Sequence, residues 1–309
     1  MKTIPILYIL KRLLLALLTV WVVITVTFFV MRAGPGGPFL GEKALSEETV
    51  AALEKKYGLD KPVTEQYVTY LKDIVTRLDF GPSLKDRGRS VLEIMLTGMQ
   101  VSLRLGLIAA IFATVIGIFL GAVAALRRNR LPDKVIMVVV TAFVSMPSFI
   151  IGTLLLLLFS TTLRWFPANG AAEGGLVLPI VTLTLYPAAY ITRLTRSSML
   201  DVLGQDYIRT ARAKGVGGRK IVFGHALKNA LIPVITYLGP MLAHIVTGSL
   251  VVEQIFAVPG IGREFVNSIT SRNYPLIMGT TILLATLIVV MNLLSDILYK
   301  AVDPRIKLE

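Results

Sequence analysis

The residues able to do chemistry are few and scattered. The chain has two histidines, His225 and His244, and no cysteine. That excludes disulfide frameworks, thiolate catalysis and cysteine-based metal sites, and leaves no credible zinc or haem cluster. A phosphate-binding loop needs G-x-x-x-x-G-K-S/T. The nearest approach, Gly36 to Lys43, places Glu42 after Gly41, so ATP hydrolysis by this chain itself is not expected. No H-E-x-x-H occurs, and no carboxylate pair sits in an apolar run as an intramembrane protease or proton relay would need. His244 is the one titratable group in the middle of such a run. It reads either as a polar contact between helices or as a residue lining a path. Around it stand Gly239, Pro240 and Gly248, with Pro147 earlier and the turn at Pro259 and Gly260 later. Pro147 and Pro240 are expected to bend their helices, as ordinary kinks or as hinges and walls of a translocation path.

The elements that must position these residues are apolar. Of 309 residues, 54% are hydrophobic and 17% charged, against roughly 45–50% and 25% in a soluble domain. The shift is concentrated in six uncharged runs: Leu13–Met31, Leu105–Leu126, Val135–Leu163, Gly174–Thr192, Asn229–Val252 and Asn273–Ser295. A hydrocarbon core about 30 Å thick takes about 20 helical residues, so each run can cross once. With no water to satisfy the backbone, runs of this length cross only as helices. Lys2, Lys11 and Arg12 precede the first run, which is longer than a signal-peptide core and reads as a retained span. Gly117 and Gly121 form a G-x-x-x-G, expected to let helices approach closely.

The net charge of +13 raises the question of nucleic acid, and its distribution answers it. Six spans place both termini on one face with loops 127–134 and 193–228. Those segments hold 18 basic and 6 acidic residues, whereas the opposite face holds 14 and 13. Nearly the whole excess is therefore on the cytoplasmic side, as the positive-inside rule expects. No nucleic-acid-binding motif accompanies it, and no nucleic-acid partner is expected.

Residues 33–104 are too long for a structureless loop. Ser46 reads as an N-cap with Glu47 and Glu48 behind it, Leu45 and Val50 as a staple, and Gly58 as a stop after Lys55 and Lys56. A second helix would carry Tyr67, Tyr70, Leu71, Ile74, Val75 and Leu78 on one face. This segment is expected to cap the outer membrane face and to offer a docking surface for an external partner. On the other side, residues 201–215 read as a helix stopped by glycine, Gly217-Gly218 as a turn, and a basic helix follows from Arg219 into run five. A helix–glycine–helix with a small-residue tip suits insertion into a cleft of another protein.

That loop resembles the coupling loop of bacterial binding-protein-dependent ABC importer permeases, whose pattern is E-A-A, three residues, G. Arg209, Thr210 and Ala211 stand at the first three positions and Gly215 at the glycine. The stretch Asp206-Tyr207-Ile208-Arg209-Thr210-Ala211-Arg212-Ala213-Lys214-Gly215 is similar to the form used by the dipeptide and oligopeptide branch. Further likenesses run along the chain: residues 33–39, 57–62, 79–83 and 253–262, and the tail Asp303-Pro304-Arg305. The overall likeness is to the OppB/DppB type, with the OppB form foremost.

The resemblance implies an all-α membrane protein with the six-helix, type I (MetI-like) importer fold. It divides the chain into 1–32 (terminus and first helix), 33–97 (extracytoplasmic helical segment), 98–300 (permease core) and 301–309 (tail). It implies a bacterial plasma membrane location with both termini cytoplasmic. The expected partners are a second, related permease, two cytoplasmic ATPases holding ATP and Mg, an external peptide-binding protein, and the peptide itself. No cofactor is expected on this chain. Asp206, Tyr207, Arg209, Thr210, Ala211, Arg212, Ala213, Lys214 and Gly215 would form the ATPase-coupling segment. The transported solute is expected to be an oligopeptide, with dipeptides, nickel chelates or other small solutes as alternatives. A self-contained secondary transporter is the rival class, but it would usually show inverted repeats, broken helices or an intramembrane ion site.

Overall fold

The computed structural model describes residues 6–34, 37–39, 46–86 and 88–302. Leu45, Pro35-Gly36 and the tail motif at 303–305 lie outside the described residues. The first span is α1 (Ile6–Ala33). Two short helices follow, α2 (Glu47–Lys56) and α3 (Val63–Arg77), and then the long α4 (Val91–Leu126). After them come α5 (Leu131–Ser145), α6 (Ser148–Leu155) continued by a π-helical stretch Leu156–Thr162, and α7 (Val177–Leu203). Next is a hairpin of α8 (Asp206–Ala213) and α9 (Gly218–Lys220), running through a π-helical Ile221–Ala226 into α10 (Leu227–Ala230). The chain closes with α11 (Ile232–Gly248), α12 (Leu250–Ile255), α13 (Ile261–Thr270) and α14 (Tyr274–Val302).

Helices α1, α4, α7 and α14 are each long and apolar enough to cross a membrane; counting each of the bent pairs 131–162 and 218–243 as one span gives six. At the centre, α4 packs along α7 with its small residues inward: Ser102, Gly106, Ala109, Ala113, Gly117 and Gly121 are buried. Its bulky side chains, including Ile111, Phe112, Val115 and Phe119, are exposed. This is the membrane pattern, in which small residues let backbones meet and large ones face lipid. A Cβ on Gly121 would lie 2.6 Å from the Thr195 Cβ and 2.7 Å from the Thr192 carbonyl oxygen. The G-x-x-x-G is therefore a packing seam.

Several expectations need correction. The third run is two helices meeting at 105°, a break rather than a kink. Met146, preceding Pro147, is extended (φ −91°, ψ 129°), as a residue before proline tends to be, and α6 starts afresh behind Pro147. Run five bends by 46° next to Leu231 and is interrupted again at Ser249, whereas α11 runs through Pro240 unbroken. The fourth helix does not end near Thr192 but carries on to Leu203, so much of the supposed loop is helix. Residues 201–215 are not one helix, because Gly204 ends α7 and α8 begins at Asp206. The turn after it is Lys214-Gly215, and Gly217 is instead the extended N-cap of α9.

In the outer segment, Ser46 does cap α2, accepting from the Thr49 amide at 3.3 Å. Gly58 takes the left-handed φ of 67° expected of a stop. Tyr67, Tyr70, Leu71 and Ile74 pack on a cluster formed by Phe28, Phe80, Met95 and Met278. Val75 and Leu78 do not join them, being 80% and 64% exposed; Leu78 is left-handed and has already left the helix.

Candidate functional site

The tip expected to couple to a partner is built from α8 outward. Ile208 is fully buried (0%) among Met199, Ile221, Ala226 and Ala230, which pins one face of the helix to the ends of spans four and five. The helix stops through a double hydrogen bond. The Val216 amide donates to the Ala211 carbonyl at 3.1 Å and the Gly215 amide to the Arg212 carbonyl at 3.0 Å. Gly215 is left-handed (φ 75°), which completes a Schellman motif, and Val216 packs back towards Ala211 in the same cluster. Asp206, Tyr207, Arg209, Thr210, Arg212, Ala213, Lys214 and Gly215 are exposed. Arg209 meets Asp206 at 3.6 Å with both side chains in solvent, a contact worth about 0–1 kcal/mol that leaves the guanidinium able to choose another partner. Ala211 departs from expectation: it is half-buried against the cluster rather than presented at the tip.

One polar tie joins the tip to a span and a second braces two spans beside it. The Asn229 amide group donates to the Tyr207 hydroxyl at 3.0 Å, joining α8 to the base of span five. Arg196 donates through Nε and Nη2 to the two oxygens of Asp133 at 2.6 and 2.9 Å. Asp133 is 2% exposed and also accepts from the Asn129 amide at 2.8 Å. This fork joins the C-terminal part of α7 to the start of α5. Sequence reading missed it; the available signal was a lone acid among Arg127, Arg128, Arg130 and Lys134.

Of the residues expected along a path, the five whose surroundings are described fall in different places. Pro147 lines a cavity of about 350 Å³ with Thr182, Leu183, Tyr186, Pro187 and Ile245, so the break in span three faces spans four and five. Ile245 adjoins His244, but the His244 side chain and the surroundings of Gly248 lie outside the described residues. Gly239 belongs to helix packing, since a Cβ there would lie 2.6 Å from the Ser295 hydroxyl of α14. Pro240 is half-buried inside α11, and Pro259 is exposed. Gly260 is buried in a different feature.

That feature is a latch built on Glu253, which is 0% exposed. Its Oε1 accepts from the hydroxyls of Ser102 and Ser249, both at 2.6 Å. Its Oε2 accepts from the amides of Gly262 and Arg263 at 2.8 and 3.1 Å. Ser102 in turn accepts from the Ile261 amide at 2.9 Å. The carboxylate of α12 thus supplies the cap that the first turn of α13 lacks, and it suits the positive end of that helix. A Cβ on Gly260 would collide with the Glu253 carboxylate, and one on Gly98 would lie 3.0 Å from the Ile261 amide. The loop between spans three and four joins through Gly170, whose amide donates to the Phe256 carbonyl at 2.6 Å. The turn at Pro259-Gly260 is therefore clamped between α4 and α12. Its sequence signal was an acid directly after a 24-residue apolar run.

Comparison with known proteins agrees with this architecture. Residues 117–308 match the family described as "Binding-protein-dependent transport system inner membrane component". Residues 6–86 match "Binding-prot-dependent transport system membrane comp, N-term". The dipeptide transport system permease protein DppB of Bacillus subtilis is 47% identical over 302 residues, covering 97% of this chain and 98% of that protein. The oligopeptide transport system permease protein OppB of Salmonella typhimurium is 44% identical over 303 residues, covering 97% and 99%. Among solved structures, a chain of the inward-facing MetNI methionine ABC transporter aligns with a TM-score of 0.55 and 21% identity, over 69% of this chain and 97% of that one, a likeness of fold. The cavity at Pro147, the clamped turn at Gly260 and the basic tip at α8 are thus features of a multi-pass membrane protein that belongs to the binding-protein-dependent transport permeases, of the OppB/DppB type.

Proposed function

We propose that the chain is one of two related but different permease subunits of an ATP-driven importer, carrying oligopeptides handed over by an external binding protein. Two cytoplasmic ATPases would bind ATP and Mg and dock on the basic face, with both termini on that side. The observation that carries the reading is the tip at α8. It is exposed, basic and stopped by glycine, yet anchored by Ile208 and Tyr207 to the ends of spans four and five, and the Arg196–Asp133 fork ties span four to span three. A rigid lever of this kind transmits movement of the ATPases to the helices around the Pro147 cavity. Arg209, Arg212 and Lys214 would orient the contact by pairing with acidic groups at the ATPase cleft, which governs registration more than affinity. Dipeptides are the second reading, favoured by the likeness to a dipeptide permease.

The test is reconstitution of the whole assembly in proteoliposomes with the binding protein outside and ATP inside. Labelled oligopeptide should accumulate only when the ATPases are present. Uptake driven by an ion gradient without the ATPases would replace this reading with that of a secondary transporter. Competition between di- and oligopeptides decides the substrate length.

A further inference from the structure

A second cavity, of about 280 Å³, lies where α1 ends, between α3, the 79–84 loop and the start of α14. Its walls include Phe28, Tyr57, Phe80 and Tyr274, and two polar groups in it are unaccounted for. Arg32 lies over the Phe28 ring at 3.5 Å and donates from Nε to Gln66 at 3.0 Å, but its Nη1 is buried with no hydrogen-bond partner. The Tyr70 hydroxyl is likewise buried and unpartnered. The Gln66 amide nitrogen is committed to the carbonyls of Leu59 and Lys61 at 3.1 and 2.8 Å, so its oxygen is held towards Arg32.

Among the described residues no carboxylate pairs with Arg32. Asp73 and Asp79 also line the cavity, and Asp79 accepts from the Gly81 amide at 2.8 Å. Two buried donors without acceptors, one of them charged, are costly enough to need an explanation. An anion with acceptor oxygens would complement both groups. The cavity sits at the ends of spans one and six, Arg32 in the last turn of α1 and Tyr274 opening α14. That is the depth at which aromatic and basic residues meet phospholipid headgroups. The aromatic walls suit the carbon skeleton that carries such a group.

We propose that this cavity is a phosphate site, with Arg32 Nη1 and the Tyr70 hydroxyl as donors to a phosphodiester or phosphomonoester and the aromatic walls around its glycerol. The source can be a membrane lipid or a soluble phosphate, and the experiment separates them. The assembled transporter, delipidated in detergent, is titrated by native mass spectrometry with dioctanoyl phosphatidylglycerol and, separately, with glycerol 3-phosphate. Wild type should bind one equivalent. Tyr70→Phe, which keeps the ring, should weaken binding about tenfold or more, and Arg32→Gln should abolish it. Without ligand, Tyr70→Phe should melt no lower than wild type, because the hydroxyl it removes has no partner to lose; this separates a binding role from a packing one. Binding of the lipid alone identifies a headgroup, and binding of both probes a soluble phosphate. Absence of phosphate binding by wild type, or wild-type affinity in either variant, overturns the proposal. None of these readouts depends on transport.

Discussion

Replacing Glu253 by alanine should open the outer turn while leaving the spans in place. The side chain serves four donors: the hydroxyls of Ser102 and Ser249 and the amides of Gly262 and Arg263. The hydroxyls can rotate to other acceptors, but the two amides are fixed by the first turn of α13. Each stranded buried donor costs about 1–3 kcal/mol, so Glu253→Ala should weaken the latch by about 2–6 kcal/mol. Glu253→Gln keeps one carbonyl oxygen for the amides and turns its NH₂ to the hydroxyls, which can reverse and accept. Only the charge assistance is lost, and the cost should fall to about 1–3 kcal/mol. Since about 1.4 kcal/mol is tenfold in an equilibrium, amide hydrogen exchange at residues 260–263 should accelerate roughly thirtyfold to ten-thousandfold in the alanine variant and clearly less in the glutamine one. The measurement is made on the assembled transporter, with amides in the middle of α4 as an internal control. Unchanged exchange at 260–263 in Glu253→Ala, or a glutamine variant worse than alanine, would refute the latch.

Gly215→Val should insert normally yet uncouple ATP hydrolysis from uptake, because a β-branched residue at φ 75° costs about 1–3 kcal/mol of strain and undoes the Schellman stop; wild-type coupling would place the joint elsewhere. Ala213→Glu, at an exposed position, should weaken ATPase docking without disturbing the tip, whereas Ala211→Glu should also loosen the cluster around Ile208, and limited proteolysis should tell the two apart. With no native cysteine, cysteines at the exposed Lys55 and Arg212 report sidedness: impermeant maleimide outside sealed cells should label the first and not the second, and the reverse would invert the topology. Gly121→Val should push α4 from α7 by overpacking and cost about 1–3 kcal/mol or more, seen as a lower melting temperature in detergent; an unchanged value would mean the seam is looser than its 2.6 Å contact implies.

Much of the architecture was legible without coordinates, because the forces that set it act over short stretches of chain. Span number follows from bilayer thickness and the need to satisfy the backbone, so the runs at 13–31, 105–126 and 273–295 read as helices whatever they touch. Counting Lys and Arg in the loops also gives an expected sidedness, which the cysteine labelling tests. The cap at Ser46, the stops at Gly58 and Gly215 and the seam at Gly117 and Gly121 are likewise local, each set within a few residues by hydrogen bonding, φ or helical period. What the tertiary structure alone decided depends on groups far apart in sequence. Glu253 meets Ser102 across 151 residues and Arg196 meets Asp133 across 63, so neither carboxylate shows its role in its own neighbourhood. A proline announces a break but not its angle, and the 105° at Met146-Pro147 is set by what α5 and α6 pack against. The sequence marks Ala211 only as small; whether its face turns to a partner or inward to Met199 and Ile221 depends on how α8 lies across the ends of spans four and five. Hydropathy and capping are sums over neighbours in the chain, whereas a buried charge or an inward alanine is defined by neighbours in space.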